Sequence, residues 1–481
     1  MKKGVLLGAI LVLSLLLCAC SLNPNSTPES PANEQGEVAP SIDDYINKII
    51  NRLNKIINRL DISKDKPVQI DDIEDDIKII VGTLYDFSSD RAWITYRIDN
   101  EWYLGCVDKE GTILFAYPSS SINEKSEFIN GAAYIATGSR EEKTYWIINE
   151  AGDILTSSAD SNFDSIVAYG GGYFLCYKDQ SDFSGASNCY KVIDSTGKIV
   201  KEIIYAKEEF THAEVPGNNL RYLGDGIFSF WKDKRNHSSI VDLYNIPDGI
   251  EFTCENIAAN CKYHSKFSDG VAFFGRINLP DIILFKDGTY TELNYTTGLG
   301  NDVSYDSHAS EGKVVLCEHD SSNKIKNMVY YSITDDNYYS LDIYIDNMYT
   351  KIPVEDFGQF TYEIVNDRFL VHLLGADNLS YIALIDTCNE IILEPVRCDK
   401  ATEISCGRIV VRTEDGVTIY DTDGNIVFDM LGARMFLTGN FQDDVAILKG
   451  EGVEKYIDLQ GNDLFDDYNF SNIVIREIPS N

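Results

Sequence analysis

The chain has 481 residues, 44% hydrophobic and 11% aromatic, enough apolar material for one large β-domain or two smaller ones. Its formal net charge of −35 at pH 7 argues against nucleic acid, anionic lipid or any other polyanion as a direct partner, and permits basic partners or divalent cations without demanding them. After residue 20 no apolar run is long enough to cross a bilayer as a helix.

The chain opens with Lys2 and Lys3, then an apolar stretch from Val5 to Leu17 interrupted only by Gly8, Ala9 and Ser14. That stretch is short for a membrane span and is placed where a cleavable secretory signal sits. It ends in Leu17, Cys18, Ala19 and Cys20, which resembles the lipobox of bacterial lipoproteins: an aliphatic residue, two small ones, then cysteine. The resemblance implies a signal over residues 1–19, lipid attachment at Cys20 and an extracytoplasmic, membrane-anchored protein. More than one acyl chain gives stable anchoring, whereas one gives only marginal binding. Residues 20–40 are rich in Pro, Ser, Asn and Glu and hold almost no apolar side chain, so they read as an extended tether.

Residues 41–62 predict a short amphipathic helix. Ser41 is a good N-cap, and Asp43 and Asp44 suit the positive end of the helix dipole. The heptad KIINRLN from Lys48 returns as KIINRLD from Lys55. With Ile50 and Ile57 at position a, Ile46, Leu53 and Leu60 fall at d, the pattern of a parallel two-stranded coiled coil. Ile49 and Ile56 widen the apolar stripe at position g, which suits docking on the protein's own body equally. Self-association through residues 46–60 and intramolecular packing therefore both stand as expectations.

From about residue 80 to 475 one pattern recurs. Its first half is an aromatic or aliphatic residue, two or three small or polar ones, then alternating apolar positions, as in FINGAAYIA from Phe128, FSDGVAFFG from Phe267 and FQDDVAILK from Phe441. Its second half is an apolar strand, Asp or Asn, a glycine turn and another strand, as in GCVDKEGTILF, WIINEAGDIL, KVIDSTGKIV and TIYDTDGNIV. Alternation over four to eight positions predicts half-buried strands. In D-x-x-G the carboxylate bonds backbone ahead of it and the glycine takes the positive φ of the turn. Asp90, Gly131, Gly172, Gly226, Gly270, Gly312, Asp367, Gly407 and Asp444 mark nine copies at a mean spacing of about 44 residues. Four short strands per copy, each copy needing neighbours to cover its sheet faces, predict an all-β fold, a closed β-propeller of seven to nine blades.

At WYLGCVDKEGTIL from Trp102 and YIDLQGNDLF from Tyr456 the sequence resembles the WG-containing repeat family of bacterial surface lipoproteins, although no WG dipeptide occurs. The resemblance implies a binding or scaffold module at the cell envelope and brings no catalytic residues with it. The turn from Asp194 to Lys198 also resembles turns of quinoprotein-type propellers, including an envelope-assembly lipoprotein, but lacks the tryptophan that follows there.

The search for chemistry ends largely in structural explanations. The six histidines are scattered singly, and no glycine loop, serine elbow or paired-histidine helix is present, so no catalytic, metal or cofactor residue is assigned. The run Asp421 to Asn425 has part of a calcium loop's spacing but no acid at its twelfth position, and it sits where other copies place a hairpin turn. Nine cysteines remain after Cys18 and Cys20, and two pairs are disulfide candidates: Cys176 with Cys189, flanking a polar loop, and Cys254 with Cys261. Tyr330, Tyr331, Tyr338 and Tyr339 sit in a polar, loop-like stretch, where they serve either an interface or packing between blades. The function these features support is binding or scaffolding of an envelope protein or glycan. A glycan-active propeller enzyme and an envelope-assembly propeller are the alternatives. An open aromatic patch at the propeller's central pocket favours a binder, and convergent acids beside arginines favour an enzyme.

Overall fold

The computed structural model describes residues 79–479 apart from 99, 140–141, 179–186, 207–219, 235–237, 255–260, 277–279, 281, 294–308, 320–324, 342–347, 351–363, 432–434, 451–452, 466 and 471–472. The signal, tether and heptad segment, and with them Cys20 and residues 46–60, lie outside the described residues.

The described strands form nine sheets, each an antiparallel run of strands consecutive in sequence, with one further strand from near the C-terminus added in parallel to the first. The first blade shows the plan: Ile79–Leu84, Arg91–Ile98, Glu101–Asp108 and Ile113–Pro118 pair in that order. Blades two to eight occupy residues 124–157, 165–206, 220–254, 261–292, 309–340, 348–397 and 400–431. The ninth has three strands, within 435–457. Nine lies at the top of the expected range.

Whether nine blades make an arc or a ring is decided by their interfaces, since an arc of nine has eight and a ring has nine. Each junction from blade one to blade nine holds its own buried apolar cluster. A further cluster joins blade nine to blade one, setting Val445, Ile447 and Tyr456 against Ala92, Ile94, Tyr96 and Val107. The propeller is closed.

Two kinds of turn set this geometry. Between first and second strands every blade has a two-residue turn with both central residues at positive φ, from Ser89 and Asp90 in blade one to Asp443 and Asp444 in blade nine. This is the type I′ hairpin, whose twist matches that of the flanking strands. The nine register marks all occupy its second position. Between third and fourth strands, the carboxylate of D-x-x-G accepts two backbone N–H groups. Asp108 Oδ1 takes those of Glu110 and Thr112, and Asp421 Oδ1 those of Asp423 and Asn425 at 2.9 and 2.8 Å. Asn149 does the same in blade two for Ala151 and Asp153. The turn glycine has a second reason to be there: a Cβ on Gly152 would come within 2.5 Å of the Phe115 ring of the preceding blade.

The type I′ turns are also stitched to one another. Ser89 Oγ accepts the Asn130 N–H at 2.9 Å, Asp225 Oδ2 the Gly270 N–H at 2.8 Å, and Glu311 Oε1 the Asn366 N–H at 2.6 Å. In each case the first turn residue of one blade receives a donor from the next blade. The same bond crosses the closure, where Asp443 Oδ2 accepts the Asp90 N–H at 2.9 Å.

The closure has two further parts. Tyr456 Oη donates to the Tyr85 carbonyl at 2.6 Å, and Phe465 packs where a Cβ on Gly111 would stand, repeating at the seam the ring-on-glycine contact seen inside the array. Beyond blade nine the chain then runs back along blade one. The Asn469 carbonyl accepts the Ile113 N–H at 3.0 Å, Phe470 meets Tyr96 edge-on, Ile473 is 1% exposed, and Val474–Ile475 pairs in parallel with the outer strand of blade one. A C-terminal latch therefore adds a fifth strand to the first blade.

The tyrosine stretch of blade six is strand, not loop. Tyr330 stacks on Tyr339 at 4.9 Å, Tyr331 lies beside Tyr338 at 5.1 Å, and Tyr330 and Tyr331 are buried. These aromatics pack the sheet.

Candidate functional site

First strands of successive blades are followed by the type I′ turn, so the residues just before that turn recur at equivalent places. In blades nine, one, two and three they meet around a cavity of about 410 Å³. Tyr85 and Asp86 follow the first strand of blade one, Lys125 ends that of blade two, and Glu127 lies just beyond it. Tyr169 comes from Ser165–Gly170 in blade three, and Ile447, Lys449 and Glu454 from blade nine. Leu84 and Trp93 supply apolar wall. A second cavity of about 480 Å³ adjoins through Tyr169 and continues along Tyr134, Arg221 and Tyr222.

Several polar groups of this wall are engaged in holding it together. Trp93 Nε1–H donates to the Ser126 carbonyl at 2.7 Å, fixing blade one on blade two. Ser126 Oγ donates to the Glu127 carbonyl and accepts the Tyr134 N–H. Glu124 accepts from Tyr134 Oη at 2.8 Å and pairs with Lys143 at 2.6 Å. Burial pushes the Glu124 carboxyl up, but the bonds from Lys143 and Tyr134 outweigh it and hold the group below the usual carboxylate range. Glu454 pairs with Lys449 at 3.3 Å.

Lys125 and Asp86 differ. The Lys125 ammonium stands 3.4 Å from the centroid of the Tyr85 ring, a cation–π contact. Burial nevertheless pushes its pKa down to about 8, opposed by the Glu127 carboxylate alone. Burial also raises the Asp86 carboxyl above its ordinary value. The lining holds two tyrosines, two lysines and three acids, and no arginine. The repeat acids that crowd the sequence are elsewhere, clamping backbone in turns.

The expected pairing of Cys176 with Cys189 is not made. Their strands are neighbours, but Cys176 lies opposite Lys191 and Cys189 opposite Lys178, and both thiols are free and buried. Burial raises both thiol pKa values, which suits small core residues. Cys254 is a free thiol in the core between blades four and five, while Cys261 opens the next sheet and its side chain lies outside the described residues. Asp421 forms the backbone clamp described above. Among the described residues no three His, Cys, Asp or Glu side chains converge as a metal-holding group.

The stitching acceptors and the pocket residues were not picked out from the sequence. A signal existed for the former: the position before the register mark carries a side-chain acceptor in every blade except at Gly171 and Cys406. No comparable signal marks Tyr85, Asp86 or Lys125.

No family model matches the chain, and no curated protein matches it. Among solved structures it is similar to BamB from Moraxella catarrhalis, at 11% identity over 76% of this chain and 97% of that one, with a TM-score of 0.36. A eukaryotic initiation factor aligns at 13% identity over 79% and 92%, TM-score 0.41. A prolyl endopeptidase aligns at 10% over 78% and 54%, TM-score 0.35, so this chain spans about half of it. Likeness at this level carries no argument about activity or partner, and the fold rests on the chain's own nine sheets.

Proposed function

We propose that this protein is a lipid-anchored, extracytoplasmic binding or scaffold module of the WG-like repeat type, holding a partner from the cell envelope at the cavity where blades nine, one, two and three meet. The observation that carries the reading is the pocket wall: partly buried tyrosines Tyr85 and Tyr169 flank Lys125 and Asp86, while the acids of the repeats are committed to turn clamps. Amphipathic rings with a few convergent polar groups are the composition of recognition sites. The anchoring half of the reading rests on Leu17 to Cys20.

Two experiments test it. The Cys20→Ala variant is expected to leave the membrane fraction, and retention after a carbonate wash would sink the anchor. The full chain in detergent is expected to capture an envelope component that the Tyr85→Ala/Tyr169→Ala variant does not. Equal capture by both, or glycan or peptide turnover abolished by one carboxylate substitution with folding intact, would replace the binder with another reading.

A further inference from the structure

The chemistry of the pocket narrows the ligand, on the basis of the binding reading above. We propose that this cavity, the one lined by Tyr85, Asp86 and Lys125, takes a small zwitterion, an amino acid or short peptide with free ends, its carboxylate on Lys125 and its ammonium on Asp86.

Among the described residues, Lys125 has no ion pair and rests only on the Tyr85 ring, and Asp86 has neither an ion pair nor a hydrogen bond. Of the other charged residues lining this cavity, Lys449 and Glu454 pair with each other and Glu127 is exposed. Burying a charge without a partner is unfavourable, so natural proteins pair, neutralise or reserve it. Among the described residues no ion pair joins Lys125 to Asp86; the carboxylate that opposes the fall of Lys125 is the exposed Glu127, and burial alone accounts for the rise of Asp86. One cavity thus presents an ammonium and a carboxylate that, among the described residues, form no ion pair.

Three ligand classes compete for such a pair. A simple anion would satisfy Lys125, leave Asp86 further desolvated, and approach against the field of a strongly acidic chain. A neutral sugar would exclude water from both charges and compensate neither. A zwitterion satisfies both and, being neutral, meets no net repulsion. The volume of about 410 Å³ lies at the small end of ligand pockets, and Leu84, Ile447 and Trp93 offer apolar wall to a side chain.

The test uses the full chain in detergent. Alanine, trialanine, N-acetyl-trialanine, trialanine amide and a neutral disaccharide are titrated up to about 10 mM, a range that detects weak sites. Lysines carrying ¹³C-methyl groups are followed by NMR. Free trialanine or alanine is expected to bind and to raise the Lys125 titration midpoint, and the choice between them separates peptide from amino acid. Blocking either end should weaken binding by about tenfold or more, as loss of a charge-assisted contact does. Lys125→Met should remove the sensitivity to the carboxyl block alone, and Asp86→Asn the sensitivity to the amino block alone. Equal binding of blocked and free forms, or tighter binding of the disaccharide, overturns the assignment. Absence of binding by every probe, with capture still dependent on Tyr85 and Tyr169, overturns the zwitterion but keeps the binding module. Loss of that dependence removes both.

Discussion

Ile473 is where ring closure can be tested by removing three carbon atoms. It is 1% exposed and sits with Tyr96, Val445 and Tyr456 in the cluster that joins blade nine to blade one. At about 0.8 kcal/mol for each buried carbon group, Ile473→Ala loses about 2.4 kcal/mol of transfer free energy, and an incompletely collapsed cavity raises this to about 3–4 kcal/mol. The latch is held by few backbone bonds, so it has another response, to leave blade one altogether. Ordering a residue costs about 1–2 kcal/mol, which keeps the net docking free energy of such a segment small and limits the loss to that value. Undocking exposes the Ile113 amide, whose acceptor is the Asn469 carbonyl on the latch, and a cavity beneath the docked latch brings that undocking closer. Hydrogen exchange with urea unfolding reads both effects. Ile473→Ala is expected to lower stability by up to about 2–4 kcal/mol, less where the latch undocks, and to speed exchange at Ile113 by the factor that the lost docking free energy sets. Ile419→Ala, equally buried but between blades eight and nine, serves as the control: a similar global loss with no added opening at Ile113. A variant at 473 that stays within about 1 kcal/mol of the parent, with Ile113 still protected, would refute the latch as the closing element.

Two further outcomes follow from single side chains. Asp421→Ala strips the acceptor from two turn N–H groups and should cost about 1 kcal/mol in urea unfolding, whereas Asp421→Asn should be nearly neutral, because Asn149 makes the same clamp in blade two. The clamp bonds hold the Asp421 carboxyl low, so its contribution should persist at neutral pH and fade as acid protonates it. At Lys125 the sign is reversed: burial lowers an amine, so the folded state sheds its proton first and stability contributed by this site rises from about pH 8 to the ordinary lysine range. Lys125→Met should therefore be more stable than the parent at pH 7 and lose that advantage above about pH 10, as judged by melting temperature across pH.

The fold was legible because every blade must solve the same local problem. A type I′ turn needs two residues that tolerate positive φ, a D-x-x-G turn needs a short acceptor and a glycine, and the strands between them need alternation. These demands recur at about the same spacing and appear as a repeat, which is why Asp90, Asp367 and Asp444 served as register marks where glycine was absent. Ring closure left weaker traces. Phe470, Ile473 and Val474 carry no repeat signal, since a single latch has no second copy to compare with. Tyr330 and Tyr331 look loop-like in sequence because polar residues such as Asp335 and Asp336 follow them, and of the two roles open to them packing is the one the sheet shows. Those acids instead accept bonds from Ser332 and Tyr331 around a turn.

The pocket is the part that repetition hides. Selection for a common blade acts on residues that face neighbouring sheets, so those positions converge on Phe, Ile, Val and Gly around the ring. Tyr85, Lys125 and Tyr169 line a cavity at or just beyond the ends of first strands, where blades nine, one, two and three meet, and these side chains lie outside the recurring pattern. In a repeat protein of this kind, departure from the repeat at such a cavity is therefore itself a signal. Lys125 illustrates the logic. A long cation on a partly buried first strand, without an acid to pair with, is destabilising to the ring as a scaffold. A propeller optimised only for packing would place an uncharged side chain there. Its retention at one wall, beside an equally unmatched Asp86, has a physical rationale once a ligand supplies the missing charges.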